Sequence, residues 1–247
     1  MMKGTVQTKT LNNNKVTAFW FPIAEKEFQL QINEIFGEEL YKLGKRKKGG
    51  VYLDIGACLG LASIYFRDWA KMIYAVEPST ECYKALFNNT KEITNIQTFN
   101  CAMADKNARL KLCSINSKSV PQTFYPGNKS VVGSEIVPCK TMDVFFKENK
   151  INHIDVMKLD VEGSEYSLLA SPGFAKVADK IDFIIGESHF TNDGAAPLFI
   201  PEILKEYGFK TKFLKEKNFI RHLGMTFGKV DKIYSVNVRT MFYAERK

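Results

Sequence analysis

From Val51 onward, short apolar runs alternate with longer amphipathic stretches, and this alternation restricts the possible folds more than any other feature of the chain. A strand buried on both faces reads as an unbroken apolar run, and parallel neighbours need a crossover long enough to hold a helix. The expected strands are Val51–Ile55, Met72–Val76, Ile96–Met103, Ile154–Leu159 and Asp182–Gly186. Helices are expected at Leu61–Ala70, Thr80–Glu92, Met142–Glu148, Glu165–Leu169 and Leu198–Tyr207. A hairpin element at Arg109–Ile115 precedes a loop over Ser117–Ser134 that is rich in Ser, Pro, Gly and Asn. Two late strands, Phe209–Leu214 and one near Ser235–Ala244, follow one another without an intervening helix. The pattern predicts a doubly wound, Rossmann-like α/β fold, with a mostly parallel seven-stranded sheet and one antiparallel strand near the edge. Residues 1–50, with a strand at Lys15–Pro22 and a helix at Ile32–Leu43 ending at Gly44, read as an N-terminal extension packing on a core domain over 51–247.

A chain of 247 residues that is 45% hydrophobic has material for one sizeable core. The net charge of +8 raises nucleic acid or another anion as a partner. The charge is spread thinly, however, and its densest run, Lys45–Lys48, reads as a solvated face, as do the looser lysines from Lys205 to Lys217. Five cysteines without a CxxC pair exclude the usual zinc spacing and fit reduced, buried thiols. The polar start MMKGTVQTKTLNNN lacks the apolar core of a signal peptide, and no later run has membrane-spanning length. A cytoplasmic location is expected.

In doubly wound sheets ligands bind beyond the carboxyl ends of the strands, so the residues ending each strand carry the functional information. The first strand ends in Asp54-Ile55-Gly56-Ala57-Cys58-Leu59-Gly60. Gly56 and Gly60 allow a tight turn and a close approach of ligand to backbone, but Cys58 stands where the dinucleotide fingerprint has its second glycine, and the Lys-Ser/Thr ending of a P-loop is absent. A ligand without phosphates suits such a turn, and a plain glycine bend in a core is the alternative. The second strand ends in Glu77-Pro78-Ser79, roughly 20 residues past the turn, where a carboxylate can accept both hydroxyls of a ribose.

These pieces, with Asn100-Cys101-Ala102-Met103-Ala104-Asp105 and the stretch KLDVEGSEYSLL after the fourth strand, resemble the FkbM-type S-adenosylmethionine-dependent methyltransferases from about Val51 to His189. The resemblance implies a class I methyltransferase fold with S-adenosylmethionine as cofactor. It implies that Asp54, Gly56, Ala57 and Gly60 support the methionine portion and that Glu77 and Pro78 hold the ribose. Ala102 and Met103 would frame the adenine, with Asp105 a weaker candidate, and Asp160 would face the cofactor's amino group and the substrate channel.

For catalysis the candidates are His189, Asp160 and Glu187. Alternation places Glu187 and His189 on one side of the fifth strand's end, and a histidine that titrates near neutrality can take a proton from a hydroxyl. A histidine merely satisfied by Glu187 is the structural alternative. A divalent cation on Asp160, Glu187 and His189 is possible but not favoured, so no metal is expected. His153 and His222 lie away from strand ends and are expected to be structural. The expected reaction is O-methylation of a hydroxyl on a small molecule or glycan, within a pocket walled by residues 1–50, Ser117–Ser134 and Glu216–Lys232. The last segment carries Lys217, Arg221, Lys229 and Lys232, which suggest an anionic acceptor. The rivals are a nucleic-acid methyltransferase, against which Asp160-Val161-Glu162-Gly163 departs from the Asn/Asp-Pro-Pro-aromatic pattern, and a non-catalytic S-adenosylmethionine-binding protein.

Overall fold

The computed structural model describes residues 5–11, 15–21, 25–43, 48–115, 122–124, 126, 130–189, 196–213 and 239–246. The N-terminal part holds strands β1 (Thr5–Leu11) and β2 (Lys15–Phe21), helix α1 (Glu25–Ile32) and a π-helical turn (Asn33–Gly37). The central part comprises β3 (Gly50–Ile55), α2 (Leu61–Phe66), β4 (Ala70–Val76), α3 (Thr80–Thr90), β5 (Ile96–Phe99) and β6 (Ala102–Met103). There follow β7 (Ala108–Ser114), β8 (Gln122–Thr123), β9 (Gly133–Lys140), α4 (Met142–Glu148), β10 (Val156–Leu159), α5 (Glu165–Leu169) and α6 (Pro172–Ala175). The last elements are β11 (Phe183–His189), α7 (Ala196–Glu206), β12 (Phe209–Phe213) and β13 (Arg239–Arg246).

The seven-stranded sheet runs β12-β13-β11-β10-β3-β4-β5. Every pairing from β11 to β5 is parallel, and β13 is antiparallel to both of its neighbours. The anticipated fold class is therefore the observed one. Strand order reverses between β3 and β10, so the two central strands diverge there into helices on opposite faces and leave a crevice at their carboxyl ends.

Period-two alternation sorts the central strands cleanly between two cores. Leu53, Ile55, Met157, Leu159 and Ile184 point into one cluster with Phe145, Leu168, Phe174 and Leu204. Tyr52, Val156, Phe183 and Ile185 point into the other, against Ile64 and Phe66 of α2 and the N-terminal residues Phe28, Ile35 and Tyr41. Asp54 and Lys158 share this second face and are direct partners in the β3–β10 register.

Several boundaries differ from expectation. The helix anticipated at Ile32–Leu43 begins at Glu25, because its apolar contacts are made by Phe28 and Ile32, and it widens into the π turn after Ile32. The polar N-terminus, assigned no structure from its sequence, supplies β1, whose pairing with β2 needs no apolar pattern, and β2 lies against α3. The run Ile96–Met103 is not one strand. It breaks after Phe99, where Asn100 donates to the carbonyls of Glu77 and Pro78, and β6 then joins a separate four-stranded sheet ordered β6-β9-β7-β8. β9 escaped notice because only its second half, Val137 and Cys139, faces an apolar core. Gly44, part of Lys45–Lys48, much of Ser117–Ser134 and all of Glu216–Lys232 lie outside the described residues.

Gly186 is where β11 and β10 approach too closely for a side chain: a Cβ would sit 2.4 Å from the Leu159 carbonyl oxygen and 3.0 Å from the Phe242 ring. Gly186→Ala should lower the unfolding free energy by about 1–3 kcal/mol, as overpacking in a close-packed interior does; an unshifted denaturant midpoint would contradict that packing.

Candidate active site

At the crevice the chain turns sharply from β3 into α2. Gly56 has φ +77°, and a Cβ there would lie 1.8 Å from the Asp160 carbonyl oxygen, so only glycine lets the turn pass over the end of β10. The N–H groups of Gly56 and Ala57 both donate to the Val76 carbonyl at 3.0 Å. Cys58 takes the left-handed region at φ +51°, and its N–H donates to Glu77 Oε2 at 2.9 Å. Ser79 N–H donates to Glu77 Oε1 at 2.8 Å, while the Ser79 hydroxyl caps α3 by accepting from Cys82 N–H. Glu77 is thus fixed at both oxygens on the wall of a cavity, and burial pushes its carboxyl up to about 7 against the opposing pull of those N–H groups and Lys158.

Below the turn lies a cation that sequence reasoning overlooked. Lys158 is 3% exposed and donates to the Gly56 carbonyl at 2.7 Å; its Nζ stands 3.4 Å from Asp54 Oδ1 and 3.5 Å from Asp160 Oδ2. Burial works against its charge, but the charges of Asp54 and Asp160 outweigh it and raise the ammonium above its ordinary range. Ser63 donates to the other Asp54 oxygen at 2.6 Å. Tyr41 reaches in from the N-terminal segment, its hydroxyl donating to Asp160 Oδ2 at 3.2 Å and its ring 5.7 Å from the Lys158 ammonium. Burial, then Asp160, holds the Tyr41 phenol well above its ordinary range, so it stays a donor.

Beyond β10 the chain runs through Glu162, at φ +51°, and Gly163, at φ +101°, into α5. Glu165, fully buried, accepts from the N–H of Val161 at 3.0 Å and of Gly163 at 3.1 Å, and faces His189 Nδ1 at 2.9 Å. His189 Nε2 is 3.6 Å from both Glu162 Oε2 and Glu187 Oε2. Burial disfavours its charge, but the bond to Glu165 and the charges of Glu165, Glu162 and Asp160 prevail and raise it to about 10. At neutral pH His189 is therefore an imidazolium with both nitrogens facing carboxylates. His189, expected as a base or else as a histidine satisfied by Glu187, stands between Glu165, Glu162 and Glu187.

Of the anticipated cofactor residues, Gly56, Ala57, Glu77, Pro78, Ala102, Met103 and Asp160 line one cavity, as does Glu187. Asp54 lies beneath it, 1% exposed, and acts on it through Lys158. Gly60, at φ +87°, is placed for helix packing, since a Cβ there would meet Leu86 at 2.9 Å. Asp105 is exposed and away from the lining. His153 is paired with Asp182 at 3.1 Å at the opposite end of the sheet, and His222 lies outside the described residues. A basic residue inside the otherwise apolar run Val156–Leu159, two positions before Asp160, was the available signal for Lys158. Tyr41 gave none.

A family model described as the Methyltransferase FkbM domain matches residues 54–211. Methyltransferase sdnD of Sordaria araneosa is 23% identical over 184 residues, which are 61% of this chain and 71% of that protein. Among solved structures, Methyltransferase FkbM from Methylobacillus flagellatus KT superposes with a TM-score of 0.51 at 15% identity, over 82% of this chain and 45% of that one. The precorrin-6y C5,15-methyltransferase of Geobacter metallireducens GS-15 aligns over 91% of this chain and 94% of that one, with a TM-score of 0.48 and 12% identity. The likeness to the Methylobacillus flagellatus structure, at 15% identity, speaks to the fold alone.

Lys158→Met should cost about 3–5 kcal/mol, because it leaves Asp54 buried without its cation. Adding Asp54→Asn should recover part of that loss in denaturant unfolding; a double variant as unstable as the single one would show that the pair is not coupled. The His189 charge makes a second test. Its folded value lies above the ordinary imidazole value, so its stabilising effect is complete below about 6.5 and fades as pH rises toward about 10. The stability difference between wild type and His189→Gln should shrink over that window, and a pH-independent difference would refute the charged state.

Proposed function

The chain belongs to the FkbM family of methyltransferases, and from that premise we propose that it moves the methyl group of S-adenosylmethionine to a hydroxyl oxygen of a small molecule or glycan. The observation that carries the cofactor assignment is Glu77: a carboxylate 7% exposed, oriented by two backbone N–H groups, on the cavity wall beside the glycine turn. Each of its oxygens retains a lone pair after accepting one N–H, which suits a diol that donates twice. In this reading the backbone of Gly56 and Ala57 faces the methionine portion, Pro78 borders the ribose, and Ala102 with Met103 frames the adenine. Asp160 faces the amino group, while Asp54 and Gly60 shape the turn from behind. Bound there, S-adenosylmethionine supplies a methyl group already activated by its sulfonium.

The protein's remaining work is alignment, exclusion of water and disposal of one proton. Asp160 and Glu187 are the proton acceptors in this proposal. Tyr41 and Lys158 hold the Asp160 carboxylate from two sides, and His189 fixes Glu187 from a third direction. His189 contributes as a positioning cation. No divalent cation enters the proposal.

Ribose hydroxyls donate to the ionised carboxylate, so binding favours the charged form of Glu77, whose neighbours include Cys58, Asp54 and Lys158. Cofactor affinity measured by calorimetry should therefore weaken as pH falls below about 7. In Glu77→Gln it should be about tenfold or more lower, with that pH dependence gone. Wild-type affinity in the variant would remove the ribose role, and absence of any binding would end the transferase reading. Methyl release from labelled S-adenosylmethionine, screened over sugar, polyketide, lipid and nucleic-acid acceptors, should find turnover with a hydroxylated small molecule or glycan. Turnover confined to nucleic acid would overturn it.

A further inference from the structure

The half of the cavity beyond Asp160 has a consistent chemical character. Among the described residues, the charged side chains lining the cavity are the acids Glu34, Glu77, Asp160, Glu162 and Glu187 and the base Lys158. Lys158 is committed to the Gly56 carbonyl and to Asp54 and Asp160. Other donors are committed as well. The Tyr41 hydroxyl bonds Asp160, the N–H groups of Val161 and Gly163 bond Glu165, and both ring nitrogens of His189 face carboxylates. A phosphate or carboxylate entering here would meet like charge with those donors already engaged.

One group points to a ligand independently of the acids. Ser164 lines the cavity, is 5% exposed, and its Oγ has no hydrogen-bond partner. It stands at the N-cap of α5 without making a cap bond, its backbone at φ −96° and ψ 3° lying outside the extended region usual for a capping residue. A buried hydroxyl left unsatisfied costs free energy unless something supplies its partner. Two residues before it, Glu162 adopts the left-handed region that side chains rarely take, and this conformation brings its carboxylate to within 4.8 Å of ligand atoms of both Asp160 and His189.

We propose that Asp160, Glu162, Ser164 and Glu187 form the acceptor subsite and that it takes a polyol bearing a protonated amine beside its hydroxyl groups. This rests on the transferase reading above. An ammonium offers three donors and a positive charge to a wall of acceptors, and the adjoining hydroxyls can exchange hydrogen bonds with Ser164 Oγ. The chain's overall charge of +8 does not describe this wall, whose sign is the opposite. The anionic acceptor suggested by Lys217, Arg221, Lys229 and Lys232 rests on residues outside the described ones, whereas the acids are in place.

The test is equilibrium binding of D-glucosamine, D-glucose and D-glucuronate to the full chain saturated with S-adenosylhomocysteine, followed by ligand-observed NMR at low salt. Glucosamine should bind tightest and glucuronate weakest. Glu162→Gln should reduce the preference for the amine by about tenfold, as loss of a charged hydrogen bond does, with S-adenosylhomocysteine affinity unchanged. Ser164→Ala should weaken glucosamine and glucose alike. Glucuronate binding as well as glucosamine, no binding by any of the three, or an undiminished preference in Glu162→Gln would each overturn the subsite. Failure of S-adenosylhomocysteine to bind would instead strike the transferase reading; the sugars would then be titrated on the chain alone, where the same order upholds the subsite and its loss or reversal sinks it.

Discussion

The buried ammonium of Lys158 is the interaction on which the rest of the site depends. A lysine in the middle of a central parallel strand is costly to desolvate, and it is retained here because three different structures converge on it. It pairs with Asp54 across the β3–β10 register, donates to the carbonyl of the glycine turn, and stands within ion-pair distance of the carboxylate that ends its own strand. One charge thereby fixes the floor, the turn and the rim relative to each other. Ser63 and Tyr41 complete the network by donating to Asp54 and Asp160, which ties α2 and the N-terminal segment to the same point.

A second network repeats the logic with the signs exchanged. Glu165 is a fully buried acidic side chain that gathers the N–H groups of the preceding loop and the ring of His189. It holds Glu162 and Gly163 in backbone conformations that an unsupported loop would leave. Between the two networks lies a cavity whose wall is rich in carboxylates held by charged and hydrogen-bonding partners, the arrangement electrostatic preorganisation requires.

The fold was legible because the central strands are buried on both faces, and a run such as Val51–Ile55 has few other places to go. Strand ends were legible too: Gly56, Glu77 and Asp160 are polar or small residues where an apolar pattern stops. Three kinds of information were not. Cross-strand pairing is invisible in one dimension, so Lys158 gave no sign that it would meet Asp54, 104 positions earlier. Protonation depends on neighbours brought together by folding, which is why an ordinary histidine became a persistent cation between Glu165, Glu162 and Glu187. And β1 is defined by its pairing with β2, which a one-dimensional pattern does not show, while only the second half of β9 faces an apolar core.

Tyr41 belongs to a stretch that precedes the doubly wound sheet, yet its hydroxyl sits on the carboxylate at the sheet's centre. Gln31, Glu34, Ile35 and Leu40 line the same cavity from that stretch. The cavity is thus walled on one side by strand ends that cannot change without disturbing the sheet, while part of the facing wall is borrowed from a peripheral segment. The two walls can therefore vary separately: on the function proposed above, rewriting the peripheral residues would change what is modified and leave the strand ends that hold the methyl donor as they are.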